Sequence, residues 1–268
     1  MKRVVFNQKG GVGKSTITSN LAAIGASRGR RTLVVDLDPQ ANSTRYLLGD
    51  GADGLAHTAV GFFDQMLSFK LRPQPTDAFI VETMFENLAV LPADPALEEL
   101  QAKLEQRYKI YKLREALDAL EGFDDIWIDT PPAMHFFTRS ALIAADACLI
   151  PFDCDEFARR ALYSLLENVA EIRADHNAGL EVEGIVVNQY QPRANLPQQV
   201  VAELKEEGLP VLATMLSSSV RIKESHQHSL PMIHLDPRHK LSQEFVALFD
   251  ELEAVRKAQQ KAANRKRA

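Results

Sequence analysis

Two lysines, three glycines and two hydroxyls crowd into ten residues near the start of the chain, Asn7-Gln8-Lys9-Gly10-Gly11-Val12-Gly13-Lys14-Ser15-Thr16. Successive backbone N–H groups that converge on one point hold a compact anion, and glycine lets the chain turn tightly enough to aim them inward. A β-branched run, Val4–Phe6, precedes the segment, and a helical pattern from Ser15 to Ser27 follows it, so the positive end of a helix adds to the cradle. Gly10, Gly11, Val12, Gly13, Lys14, Ser15 and Thr16 are therefore assigned to the phosphates of a nucleotide. Lys14 would neutralise the β- and γ-phosphates, and the Ser15 hydroxyl would hold Mg²⁺. The literal pattern GxxxxGK[ST] is not met, because Gln8 stands where the first glycine belongs and a second lysine, Lys9, stands beside it. One nucleotide needs only one such lysine, so the charge of Lys9 has another task.

Carboxylates complete the chemistry. Asp36 and Asp38 follow the apolar run Thr32–Val35 two residues apart, and Asp129 ends the run Ile126–Ile128. In open parallel sheets ligands bind beyond the carboxyl ends of the strands, which is where these groups would emerge. A strand-end aspartate after a hydrophobic run can orient Mg²⁺ or its waters. A single such aspartate is often a helix cap, but three in these contexts are not explained by capping alone. Asn188 ends the run Val182–Val187, where its amide could pair with a base or close the strand as a turn residue. No obvious arginine finger lies near these motifs, so slow hydrolysis, open to stimulation by a partner that supplies a cation, is expected.

Short β-branched runs alternate with amphipathic stretches almost throughout, which predicts an α/β fold: a mostly parallel central sheet flanked by helices. Strands are expected at Val4–Phe6, Thr32–Val35, Leu88–Leu91, Ile126–Ile128, Ala147–Ile150 and Val182–Val187. Helices are expected at Ser15–Ser27 and at about 95–120, 138–145, 157–174, 196–207 and 241–258. Residues 49–87, interrupted by Gly49, Gly51, Gly54, Pro73 and Pro75, read as a surface excursion.

The loop Lys9–Ser15 resembles the deviant Walker A motif of the ParA/MinD group of ATPases. Asp36-Leu37-Asp38-Pro39-Gln40-Ala41-Asn42 is similar to the second motif of its ParA-type partition branch. Leu88–Ala93, Ile126–Pro132, Val187-Asn188 and Val220–Glu224 follow in the order expected of that branch, so the resemblance covers almost the whole chain. It implies a P-loop ATPase with ATP and Mg²⁺ as cofactors. Lys9 would cross a two-fold interface to the phosphates of a second copy, giving an ATP-dependent homodimer. Asp38 would position the attacking water, Asp36 and Asp129 with Ser15 would form the magnesium shell, and Asn188 would read adenine. The branch binds non-specific DNA as the ATP dimer and is stimulated by a ParB-like or other cargo adaptor. Arg193 and Arg221, with Lys223 close by, match the positions used on DNA. Leu216–Ser219 depart from the branch at part of the base pocket.

The 268 residues, 46% hydrophobic and 25% charged, describe an ordinary globular chain. Two cysteines, Cys148 and Cys154, make no disulfide framework and fit a reducing compartment. No signal peptide or long apolar run is evident, so a cytoplasmic, nucleoid-associated protein is expected, without a helix-turn-helix ahead of the phosphate loop. The organisation expected is one ATPase domain over 1–258 and a basic tail over 259–268. Net charge is −5, yet the six cations of residues 256–267 leave −11 on the rest, so DNA must meet a local patch or the tail. A MinD-like cycle on a membrane is the rival reading. Phe245, Leu248, Leu252 and Val255 do follow helical spacing, but the tail has no large apolar residue and the stripe reads better as core. His226, His228, His234 and His239 fit no zinc spacing and read as surface histidines.

Overall fold

Runs in which both faces are apolar can be satisfied only inside a sheet covered on both sides, and that is how they are used. The computed structural model describes the backbone of residues 1–68, 72–154 and 158–267, with side chains at all of these except 158, 259, 260 and 262–267. Its strands are β1 (Lys2–Val5), β2 (Thr32–Asp36), β3 (Val81–Glu82), β4 (Leu88–Leu91), β5 (Asp125–Asp129), β6 (Ala147–Asp153) and β7 (Glu181–Asn188). They form one sheet in the order β3-β4-β2-β5-β1-β6-β7, parallel except for β3, which runs antiparallel to β4. The helices are α1 (Lys14–Ser27), α2 (Asn42–Leu48), α3 (Ala59–Asp64), α4 (Leu97–Gln106), α5 (Lys112–Asp118), α6 (Phe136–Ala144), α7 (Ala158–Asp175), α8 (Asn195–Glu206), α9 (Arg221–Gln227), α10 (Met232–Leu235) and α11 (Lys240–Arg267).

Alternation along the strands divides the core in two. Val4, Leu33, Val35, Ile126 and Ile128 face a layer that includes Phe62, Phe63, Phe136, Phe137 and Leu142. Val5, Val34, Trp127 and Leu149 face α1 and α11. The apolar stripe of α11 belongs to this second layer: Phe245, Leu248, Phe249 and Leu252 are buried, each contributing roughly 1.5–3 kcal/mol. These four side chains are therefore spent on packing, while Val255 is half-buried. No helix among the described residues is long and apolar enough to cross a membrane.

Two expectations are corrected. Residues 49–87 are not merely a surface excursion, because Phe62, Phe63 and Phe79 are buried and β3 extends the sheet; the glycines and prolines there mark turns between core elements. The helix expected over 95–120 is two helices, divided where Tyr108 adopts a left-handed φ of 55°. At the other end, α11 continues as one helix through residue 258 to Arg267. Ala268 and the tail side chains from 262 onward lie outside the described residues.

The amino ends of the strands are tied by buried charge. Arg3, 1% exposed, forks onto Glu183 through Nε at 2.8 Å and Nη2 at 3.0 Å, and Nη2 also reaches Glu253 at 3.2 Å. Arg30 bridges Asp125 at 2.6 Å and Glu253 at 2.8 Å. Glu253 lies on α11, so this network fastens the last helix to β1, β5 and β7. Arg3→Met should cost about 3–5 kcal/mol in urea denaturation, because it strands Glu183 without its partner, and Arg3→Met/Glu183→Leu should recover most of that. A loss below about 1 kcal/mol for the single variant would show that the network is dispensable.

Candidate active site

The phosphate loop is shaped before any ligand arrives. Asn7 donates through Nδ2 to the Pro151 carbonyl at 2.7 Å and accepts the Lys9 amide on Oδ1 at 2.9 Å, which sets the first bend. Gly11 and Gly13 take φ of 75° and 91°, values that a residue with Cβ avoids. A Cβ on Gly13 would also lie 2.3 Å from Asn188 Nδ2, so the loop tolerates nothing larger there. Gly13 then caps α1, whose first-turn amides have no intrahelical partner and point to where a phosphate would lie.

Gly10, Gly11, Gly13, Lys14, Ser15 and Thr16 line a cleft of about 620 Å³, with Val12 buried beneath them. Its far wall is Asp38, Gln40, Asn42, Arg45 and Tyr46, and Pro132, His226 and Ser229 close its rim. Lys14 is 6% exposed and donates to the Lys9 carbonyl at 3.2 Å; burial lowers its pKa, and Asp129 and Asp38 oppose that. Lys9 lies at the outer edge of the loop, paired with Asp153 at 2.7 Å.

Pairing of β2 with β5 sets Asp36 directly beside Asp129. Both are fully buried, and burial raises both pKa values, that of Asp129 to about 6, with their mutual repulsion adding to the rise in Asp36. Asp36 is fully engaged, accepting the Asp38 amide at 3.1 Å and the Thr44 amide and hydroxyl each at 2.8 Å. It is buried and does not itself line the cleft. Asp129 accepts the Ser43 hydroxyl on Oδ2 at 2.7 Å and is stabilised by the Ser15 hydroxyl, while its Oδ1 is buried with no hydrogen-bond partner among the described residues. An orphaned anionic oxygen beside Ser15 and Lys14 is what a hydrated divalent cation would satisfy. No cluster of three metal-ligating side chains occurs among the described residues. Asp38 accepts the Gln40 amide on Oδ1 at 3.0 Å and lines the cleft, with burial raising its pKa.

Asn188 is held against the loop, donating to the Val12 carbonyl at 2.9 Å, and Gln189 beside it donates to Gly11 at 3.2 Å. The three residues assigned to DNA are not in the cleft. Tyr190 bridges to Ser217, which brings the segment of Arg193 alongside that of Arg221 and Lys223. Arg193 and Lys223 are exposed, whereas Arg221 pairs with Glu224 and lies 3.8 Å from Asp236.

Four cleft features escaped the sequence. Ser43, buried between Ser19 and Asp129, has no motif of its own. Arg45 lines the cleft from α2. Tyr46 and His226 meet with ring centroids 4.4 Å apart, and His226 Nε2 lies 3.1 Å from Thr16 Oγ1. His226 is exposed, as expected of a surface histidine, but it also lines the cleft. Partial loss of water lowers its pKa and keeps the ring neutral at pH 7.

A glycine-built anion cradle at the carboxyl edge of a parallel sheet, with a buried strand-end carboxylate under it, places the molecule among the P-loop nucleotide-binding proteins. Residues 2–182 match a family described as an AAA domain. The chain is 35% identical to the chromosome partitioning protein ParA of Myxococcus xanthus, over 92% of this chain and 86% of that one. It is 34% identical to the sporulation initiation inhibitor protein Soj of Bacillus subtilis, over 93% and 97%. The crystal structure of the cell division ATPase MinD of Pyrococcus furiosus superposes with a TM-score of 0.76 at 26% identity, covering 95% of this chain and 98% of that one. A cobyrinic acid a,c-diamide synthase from Mycobacterium smegmatis, solved with an ATP analogue and magnesium, gives 0.73 at 30%, over 85% and 92%. The chain belongs to the ParA/MinD family of ATPases.

Because the folded pKa of Asp129 lies above its unfolded value, its charge destabilises the ligand-free fold as pH rises from about 4 to about 6, and fully above that. Asp129→Asn should therefore raise the thermal midpoint of the ligand-free protein at pH 7.5, with the gain shrinking toward pH 4. A variant less stable than wild type at pH 7.5 would contradict this.

Proposed function

We propose that the protein is a ParA-type positioning ATPase: it binds ATP with Mg²⁺, closes as a homodimer, holds non-specific DNA in that state, and is released when a ParB-like or other cargo adaptor stimulates hydrolysis. The observation that carries this reading is Lys9. It lies in the phosphate loop but at its outer edge, on an ion pair with Asp153, while Lys14 alone occupies the inner position. A cation at the rim of a cradle already served by its own lysine is suited to phosphates bound by a second copy.

Lys14 and the loop amides would hold the β- and γ-phosphates, and Ser15 with Asp129 would hold Mg²⁺, which would supply charge to the phosphate oxygens. Ser43, and Asp36 through Thr44 and the Asp38 amide, keep these groups in place. Asp38 orients a water whose oxygen bonds to the γ-phosphorus as the bond to the β,γ-bridging oxygen breaks, giving ADP and phosphate. With three desolvated carboxylates gathered there, intrinsic turnover is slow until more positive charge arrives. Arg193, Arg221 and Lys223 form the DNA-facing patch, and the relatives named for partitioning support cargo movement as the purpose.

Co-sedimentation with random-sequence duplex DNA should require ATP over ADP and weaken steeply with salt. Lys9→Ala should bind ATP yet stay monomeric in light scattering, and Asp38→Ala should remain an ATP dimer. Dimerisation of Lys9→Ala with ATP would overturn the cross-subunit role. Binding to anionic liposomes in place of DNA would replace the DNA reading with the membrane one.

A further inference from the structure

The phosphate loop ends at Thr16, and the group facing its hydroxyl comes from 210 residues away: His226 Nε2, at 3.1 Å. We propose that His226 is a nucleotide-binding residue that hydrogen-bonds the sugar-side phosphate of the bound nucleotide together with Thr16. The inference rests on the cleft being the ATP site and adds a contact from outside the loop.

Order along the loop locates the contact. Lys14 turns inward to the Lys9 carbonyl and the carboxylates, which is the end where β- and γ-phosphates gather. Thr16 lies past Ser15 on the first turn of α1 and opens toward Tyr46, Arg45 and Ser229, so its hydroxyl meets the phosphate nearest the sugar. A hydroxyl donating to a phosphate oxygen leaves that oxygen within reach of a second donor already 3.1 Å from the hydroxyl. The imidazole supplies an N–H donor to that oxygen.

The ring is held for this task by a network on its own helix. Ser225, buried next to it, hydrogen-bonds the Tyr46 hydroxyl, which also receives Asn20 Nδ2 at 3.1 Å. Asn20 lies one turn beyond Thr16, donates to the Thr16 carbonyl at 2.8 Å and accepts the Met232 amide at 2.7 Å. Thus α9, α2 and the start of α10 are locked to the first turns of α1, and the Tyr46 ring limits where the imidazole can turn. The ring itself lies at the rim, so it can be replaced without opening the core.

Calorimetric titration of ADP and of a non-hydrolysable ATP analogue, each with Mg²⁺, tests the assignment on wild type, His226→Ala and His226→Gln. A donor lost to a charged phosphate should weaken His226→Ala about tenfold, equally for both nucleotides because neither the β- nor the γ-phosphate is involved. His226→Gln should lose less, since its amide N–H can replace the imidazole donor, and both variants should keep the thermal midpoint of the ligand-free protein. Unchanged affinity in His226→Ala would overturn the proposal. So would a loss confined to the ATP analogue, a loss equal in the Ala and Gln variants, or a fall in the ligand-free midpoint that matches the lost affinity. Wild type failing to bind either nucleotide would instead refute the reading of the cleft itself.

Discussion

The structure depends on one pairing: the register that sets Asp36 against Asp129 at the carboxyl ends of β2 and β5. Two carboxylates side by side and fully buried are an arrangement that hydrophobic packing alone would never select. It persists because the surrounding chain is organised to bear it. Asp36 is satisfied by Thr44 and the Asp38 amide, which shapes the start of α2, and Asp129 is half satisfied by Ser43 from the same helix. The remaining need, one open oxygen and uncancelled negative charge, is what makes the place receptive to a cation and, through Lys14, to phosphate.

Charge is used differently at the two ends of the sheet. At the amino ends Arg3, Arg30, Glu183, Asp125 and Glu253 pair among themselves and bind α11 to the strands. Arg3 and Glu183 have no exposed surface to speak of, so neither can exchange partners without stranding the other. At the carboxyl ends the charges are left incompletely matched. The first arrangement anchors the frame; the second keeps a site whose stability is completed only by a ligand.

Much of this was legible in the residues. Strand, glycine turn, Lys14, Ser15 and helix fall in one continuous stretch, so local rules of backbone and charge suffice to read them. The positions of Asp36 and Asp129 at the carboxyl edge were legible because each ends an apolar run whose direction in a parallel sheet fixes where it emerges, with Asp38 two residues on. Ser43, Arg45 and His226 were not, since nothing local distinguishes a cleft serine, arginine or histidine from a solvated one; only the packing of α2 and α9 on α1 brings them in. Residues 49–87 misled for a related reason. Their glycines and prolines are genuine turn signals, but Phe62, Phe63 and Phe79 show that a broken segment can still carry a core face. The break at Tyr108 had no glycine to announce it.

Two of the cations assigned to partners are paired within the chain: Lys9 with Asp153, Arg221 with Glu224 and Asp236. Such pairs hold these side chains cheaply. Lys9 is 39% exposed and Asp153 24%, so the pair contributes about 0–1 kcal/mol and exchanges readily for a stronger anion. A polyphosphate or a DNA backbone carries denser charge than one carboxylate and would win that exchange, whereas an isolated surface carboxylate would not. An acidic body can meet an anionic partner on these terms, because the local cations are masked until an anion dense enough to displace their carboxylates is close.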